Sequence, residues 1–295
     1  MISLARSDGH YDGVSKVLEL LRDEISSKLA EARNILVKPN FVSVRHPLSA
    51  THVDAVKAVL DFIYSHNSKA RVIIGEGPAM GSFSDGLRNY GYLDLKRKYN
   101  VEFIDLNHSD YVYFDVYDSK LSKSIRVRVS KVVLDSDFRI SVCRPKTHDT
   151  VVVTLTIKNL VMGAVQGRDK PKVHAGYGAI NMSIAELYTK MPLSLAVIDG
   201  YVGMQGDGPV GGREIDSRFA VAGVNAVEVD ALTAWLMGFS PLDVGYLYLL
   251  WKWGYGEINV DRMRIVGGKP EDLRRIFEPH RNFIRQLNWK KDLSV

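Results

Sequence analysis

The side chains best suited to chemistry fall directly after short apolar runs. Arg144-Pro145-Lys146-Thr147-His148-Asp149 follows one such run and sets two anion-binding cations, Arg144 and Lys146, beside an imidazole, His148. Histidine titrates near neutrality, which suits it to proton transfer. Val37-Lys38-Pro39-Asn40 ends another run with a cation and an amide on a rigid turn. Gly75-Glu76-Gly77-Pro78 ends a third. Its glycines let backbone approach a ligand, and Glu76 offers a base or a metal ligand. Lys158 and Asn159 interrupt the apolar stretch Val151–Val165, where a charge needs a partner or a cleft.

Two further segments are polar and flexible. Gly167 to His174 is a basic loop that can close on an acidic substrate, with a plain exposed loop as the simpler reading. Gly200 to Gly212 combines many glycines with Asp199 before them and Asp207 within. Such a segment suits an oxygen-ligand metal site or a nest of backbone amides. Glu228 and Asp230 sit at a predicted helix start, where acids favour the helix dipole.

These residues define the expected site. His148, Lys146 and Glu76 are the candidate catalytic groups. Lys38, Asn40, Arg144, Lys158, Asn159, Gly206 and Gly208 are the candidate substrate-binding groups. Asp199, Asp207 and His174 are the candidate ligands of a divalent metal.

Positioning them requires elements with ends at one edge. Asn34–Lys38, Ala70–Gly75, Val101–Asp105, Phe138–Val142, Leu193–Ile198, Phe219–Gly223 and Met263–Gly267 read as strands. Thr51–His66 reads as a helix with Thr51 as its N-cap, and so do Asp85–Tyr99, Val151–Val165, Asn181–Met191, Val227–Met237 and Leu242–Trp253. Tyr111–Tyr117 and Ser124–Val129 alternate like an antiparallel ribbon. The order predicts an α/β fold with a mostly parallel sheet, flanking helices and a hairpin insertion at 111–129. A faint echo between Val72–Pro78 and Ala196–Pro209 allows two similar lobes. Residues 1–240 are expected to form the α/β domain and 241–295 a helical C-terminal extension packed on it.

Composition narrows the field. The 295 residues are 46% hydrophobic and 25% charged, the balance of a folded globular chain. A single cysteine, Cys143, excludes an internal disulfide and a cysteine-ligated iron–sulfur cluster. No apolar run reaches the ~20 residues of a spanning helix, and the N-terminus carries no secretory h-region, so the cytoplasm is the expected compartment. The net charge of +5 is spread along the chain, which disfavours a nucleic-acid face. Glutamine is scarce, a bias shared with thermophile proteins. Trp235, Trp251, Trp253, Tyr246 and Tyr248 read as core, with a homo-oligomer interface as the alternative.

Lys38-Pro39-Asn40, Glu76-Gly77-Pro78, Arg144 to His148, Lys158-Asn159-Leu160, Asp199-Gly200, Gly206 to Pro209 and Val229-Asp230 occur in one order. That ordered set, over roughly residues 33–240, resembles the domain-of-unknown-function family 362 of archaea and bacteria. The resemblance implies an α/β protein without an assigned reaction. Some members carry a cysteine-rich iron–sulfur segment, which this chain lacks. The motifs are also loosely similar to those of nickel-pincer lactate racemases, where lysines and histidines surround a nucleotide-derived cofactor.

The leading expectation is an enzyme acting on a small anionic metabolite, carboxylate or phosphate. Lys38, Lys146 and Lys158 would bind the anion, and His148 would transfer a proton beside Glu76 or Asp199. The alternatives are a non-catalytic binder of a ligand or nucleic acid, and a metal-dependent hydrolase built on Glu76, His148, His174 and Asp199.

Overall fold

Runs of β-branched and apolar residues form the centre of the molecule. The computed structural model describes residues 1–295. Strands β1 (Ile2–Arg6), β2 (Asn34–Lys38), β3 (Arg71–Glu76) and β4 (Val101–Asp105) alternate with helices α1 (His10–Leu20), α2 (Arg22–Glu31), α3 (Val53–His66) and α4 (Phe83–Asn89). A separate two-stranded ribbon follows, β5 (Tyr111–Tyr117) with β6 (Lys123–Ser130), then α5 (Lys131–Asp135) and β7 (Phe138–Cys143). Short strands β8 (Lys146–Thr147) and β9 (Val153–Thr154) lead into α6 (Thr156–Ala164), α7 (Lys170–Val173) and α8 (Tyr177–Lys190). A long antiparallel pair, β10 (Leu195–Gln205) and β11 (Arg213–Gly223), precedes α9 (Ala226–Leu236), α10 (Gly245–Lys252) and β12 (Ile265–Gly267). Three short helical turns close the chain at Pro270–Leu273, Phe283–Gln286 and Asn288–Asp292.

The main sheet runs β12-β1-β11-β10-β7-β2-β3-β4. Every neighbouring pair is parallel except those of β11, which is antiparallel to both β1 and β10. The carboxyl ends of seven of these eight strands therefore share one edge, the edge where α/β sheets bind ligands. Alternation along each strand separates two cores. Val37, Ile74, Val142 and Val197 pack with α1 and α3 on one face. Leu36, Ile73, Cys143 and Ile198 pack with α6, α8, α9 and α10 on the other.

The α/β reading with a mostly parallel sheet and a hairpin insertion holds. Its details change in five places. The first 31 residues add β1, α1 and α2, which the strand and helix assignments above leave out. Helix α4 stops at Asn89, where Gly91 turns with φ of 73°, and a tight turn covers Tyr92–Arg97. The apolar stretch from Val151 is helical only from Thr156, because Val152 sits at φ 66° and breaks the chain direction. Thr51 does not cap α3. Its hydroxyl donates to Val142 O at 2.8 Å and accepts from Asn40 N at 2.8 Å, and His52 Nδ1 takes the cap from Asp54 N at 3.2 Å. Finally, the strand expected at Met263–Gly267 forms as β12 and extends the sheet beside β1, so the 241–295 segment is not the helical extension expected of it as a whole. Tyr246 is core, whereas Trp253 is exposed.

Candidate functional site

Beneath the strand edge on the α6 face lies a fully buried polar layer. Lys38, the last residue of β2, pairs with Glu76, the last residue of β3. Its ammonium also donates to Pro39 O and to Asn159 Oδ1, each at 2.8 Å. Burial pushes the Lys38 pKa down, and the Glu76 charge opposes that fall. Asn159, on α6, takes a second donor from Asn40 Nδ2 at 3.0 Å and donates to Ser141 Oγ at 2.9 Å. Lys146 donates to Asn40 Oδ1 and, at 2.7 Å, to Ser49 O. Burial pushes Lys146 down to about 7.

Helix α6 is held in place by its neighbours. Asp230, within α9, accepts from Thr156 N at 2.9 Å, Thr156 Oγ1 at 2.6 Å and Ile157 N at 2.9 Å. It thus caps the first turn of α6 rather than serving its own helix dipole. Gly163 lies on the same helix, where a Cβ would overlap Lys38 Cε. The close approach of α6 to β2 requires glycine there.

Above this layer opens a cleft of ≈ 400 Å³, the scale of a small-molecule site. Glu76, Asn40 and Asn159 form part of its floor. Lys158 and Lys170 line it as cations. Burial pushes Lys158 down to about 8, with Asp149 opposing and Lys38 adding to the fall. Lys170 donates to Met162 O at 2.5 Å and to Val165 O, and burial pushes it down to about 7. Lys158 belongs to no ion pair, while Glu76 is already taken by Lys38. The buried hydroxyl of Thr154, also on the lining, has no partner.

His148 lines the cleft as a neutral ring. Burial, helped by the Lys158 charge, pushes its pKa down to about 3. Its Nδ1 lies 3.0 Å from both Thr150 N and the carboxylate of Asp149, which also lines the cleft. The loop behind it is held by buried Gln286, which donates to His148 O at 2.7 Å and accepts from Val152 N. His174 accompanies it on the lining, also pushed down by burial, with Nδ1 against Lys170 O at 3.0 Å.

The glycine-rich loop between β10 and β11 roofs the cleft through Asp207, Gly208, Pro209, Val210 and Gly211. Gly208 passes so close to Thr147 that a Cβ would overlap Thr147 O. Asp207 is pinned by Arg281 from the C-terminal stretch. Gly206 lies behind the lining, its carbonyl accepting from Thr147 Oγ1 at 2.7 Å.

The structure therefore divides the expected residues. Glu76, Asn40, His148, Lys158, Asn159, His174, Asp207 and Gly208 meet at the cleft. Lys38 and Lys146 are sealed beneath it, each 0% exposed. Arg144 and Asp199 lie on the α1–α3 face, because strand alternation turns them away. There Asp199 Oδ2 meets His10 Nδ1 at 2.7 Å. With Asp199 held by His10 and Asp207 by Arg281, the three expected metal ligands do not converge, and no group of three His, Cys, Asp or Glu is placed to hold an ion. Sequence reasoning missed Gln286 and His10, and singled out Lys170 only as part of a loop. For His10, the signal was present: alternation in Ile2–Arg6 followed by the Val14, Val17, Leu18, Leu21 stripe marks a strand–turn–helix.

Residues 35–235 match the model of a family described as a domain of unknown function, DUF362. A thylakoid-associated protein of Synechocystis sp. is 23% identical over 216 residues, 71% of this chain and 64% of that protein. The chain thus spans less than two thirds of that relative's length. Among solved structures, the lactate racemase apoprotein of Thermoanaerobacterium thermosaccharolyticum aligns with a TM-score of 0.55 at 15% identity. That alignment covers 79% of this chain and 56% of the racemase, and the likeness is one of fold. A Thermotoga maritima protein aligns with a TM-score of 0.44 at 14% identity, over 66% of this chain and 52% of that one. No helix here is long and apolar enough to cross a membrane.

Proposed function

The chain belongs to the DUF362 family, and from that premise we propose that it is an enzyme that binds a small anionic metabolite in the lysine-lined cleft and moves a proton on it. The observation that carries this reading is Lys158: buried, lining the cleft and free of any ion pair. A cation so placed favours a carboxylate or phosphate as its counter-ion. With its pKa lowered to about 8, it also holds a proton it can give up near neutrality.

The neighbours take supporting parts in this reading. Lys170 adds charge at the anion end. His148, held neutral and oriented by Asp149 and Thr150, gives the bound molecule a polar contact rather than acting as the proton carrier that its position in the sequence suggests. Thr154 offers a hydroxyl without a partner, and the loop from Asp207 to Gly211 excludes water over the bound molecule. A metal held by protein side chains alone does not fit this donor set, since no three ligating groups converge. That argues against the metal-dependent hydrolase. The aligned racemase acts on lactate, a small carboxylate, which supports this choice of substrate class.

The test is calorimetric titration with lactate, acetate and inorganic phosphate, followed by deuterium uptake into the bound acid in D2O. The expected result is saturable binding that weakens above pH 8, is lost in Lys158→Gln, and is accompanied by exchange of a carbon-bound proton. Absence of binding by any of the three, or full binding in Lys158→Gln, overturns the reading. Binding without exchange favours a non-catalytic carrier, for which the neutral His148 is the supporting observation.

A further inference from the structure

Arg144 has no place in the cleft, and its surroundings describe a different site. The residue is 5% exposed, and its Nε is buried without a hydrogen-bond partner. Asp199 and Glu214 act on it from a distance without forming an ion pair, and Asp199 is already held by His10. Burying a guanidinium without a counter-ion is costly, and the group cannot discharge itself by losing a proton. Its planar fork suits an oxyanion.

Two helices begin beside it. His10 is the first residue of α1 and His52 is the N-cap of α3, and their rings stack at 4.0 Å. The first turns of an 11-residue and a 14-residue helix are therefore brought together. The start of α1 has no side-chain cap. Helix N-termini present free N–H groups and the positive end of the dipole. Tyr201 stands edge-on to His10 at 5.1 Å and adds a hydroxyl at the rim. Burial lowers the His52 pKa; His10 and Arg144 add to that fall, and the carboxylates of Asp54, 3.6 Å from Nδ1, and Asp199 oppose it.

We propose that Arg144, His10, His52 and Tyr201, with the N-termini of α1 and α3, form a second anion site that binds a phosphate group, on the opposite face of the sheet from the lysine-lined cleft. Donors arrive from the residue that follows β7, from two helices and from two imidazoles. A tetrahedral anion with several oxygens satisfies donors from several directions, whereas a carboxylate offers two oxygens in one plane. The site stands independently of the cleft and of the reaction proposed there.

The experiment follows the imidazole nitrogens of His10 and His52 by NMR while inorganic phosphate, and separately methyl phosphate, is added at constant ionic strength. The expected result is saturable movement of both rings, at least tenfold weaker in Arg144→Gln and unchanged in Lys158→Gln. Tighter binding of methyl phosphate than of inorganic phosphate identifies the site as one for a phosphate carried by a larger molecule, and equal binding as one for the free ion. No saturable movement in the unmodified protein overturns the proposal. So does movement that survives Arg144→Gln but is lost in Lys158→Gln, which would put the phosphate in the cleft. Should Arg144→Gln fail to fold, His52→Ala replaces it, since that ring is 41% exposed, and His10 then carries the signal.

Discussion

The two faces of the sheet meet water at the same edge but carry their positive charge differently. On the α6 face, Lys146, Lys158 and Lys170 are all buried, with pKa values lowered to about 7, 8 and 7. Each can shed its proton at modest cost. On the α1–α3 face the buried cation is Arg144, which burial also lowers but which stays charged at any physiological pH. A lysine face suits proton transfer and a guanidinium face suits permanent capture of an anion. One sheet edge can thus hold two sites of different chemistry, because strand alternation sends consecutive residues to opposite sides.

The sharpest way to break this contrast is Glu76→Ala. It strands Lys38 in a fully buried position, and removing one partner of such a pair costs about 3–5 kcal/mol. Urea unfolding measures it, and a loss below 1 kcal/mol would mean that Lys38 is already neutral. Acid comes next. The His148 value is lowered from 6.5 to about 3, so the unfolded chain binds the extra proton between those values. Its contribution is full above pH 6.5 and falls as pH drops towards 3, by about 1.4 kcal/mol for each pH unit. A urea midpoint that is flat between pH 6.5 and 4 contradicts it. The lowered lysines act in the same sense at higher pH. The unfolded chain holds protons that the folded chain has released, so stability rises from about pH 7 towards 10. Anion binding in the cleft should weaken over the same interval, as Lys158 loses its charge.

Smaller effects refine the comparison. Gly163→Ala forces α6 away from Lys38, for a loss of about 1–3 kcal/mol and weaker cleft binding. Asp199→Ala on the other face costs about 1–2 kcal/mol, because it removes the one hydrogen bond that ties the His10 ring to β10. If Asp199→Ala proves as damaging as Glu76→Ala, the two faces do not differ as argued. Arg71→Ala, in an exposed pair with Glu102 on the outer strands, sets the baseline at under about 1 kcal/mol.

Much of the cleft was legible in sequence because its residues break a pattern. Lys158 and Asn159 interrupt an apolar stretch, and Lys38 and Glu76 end apolar strands, so each announces itself. What could not be read was which way each side chain points. Arg144 and Lys146 are two residues apart in one motif, yet Pro145 and the start of β8 carry one to the α1–α3 face and the other beneath the cleft. Asp230 looked like a dipole partner of its own helix, and only tertiary packing makes it the cap of another. The turn at Val152 rests on a positive φ in a β-branched residue held by Gln286, which no local propensity indicates. The outer arm of β10 was hidden by glycines, because Gly200–Gly212 reads as loop although β10 runs into it as far as Gln205, which pairs with Arg213 at the start of β11.

The placement of β1 also governs how the molecule comes into being. Its five residues pair with β11 and β12, and Ser3 reaches across 219 positions of sequence to Ala222 O. During synthesis the first strand has no neighbour in the sheet until most of the chain has emerged. Contacts so distant in sequence slow the search for the native state. They also leave an apolar strand available for wrong pairings in the interval. Because Asp199 and His10 come from the two sides of that late closure, the α1–α3 face completes after the β2–β3 edge that forms the lysine floor.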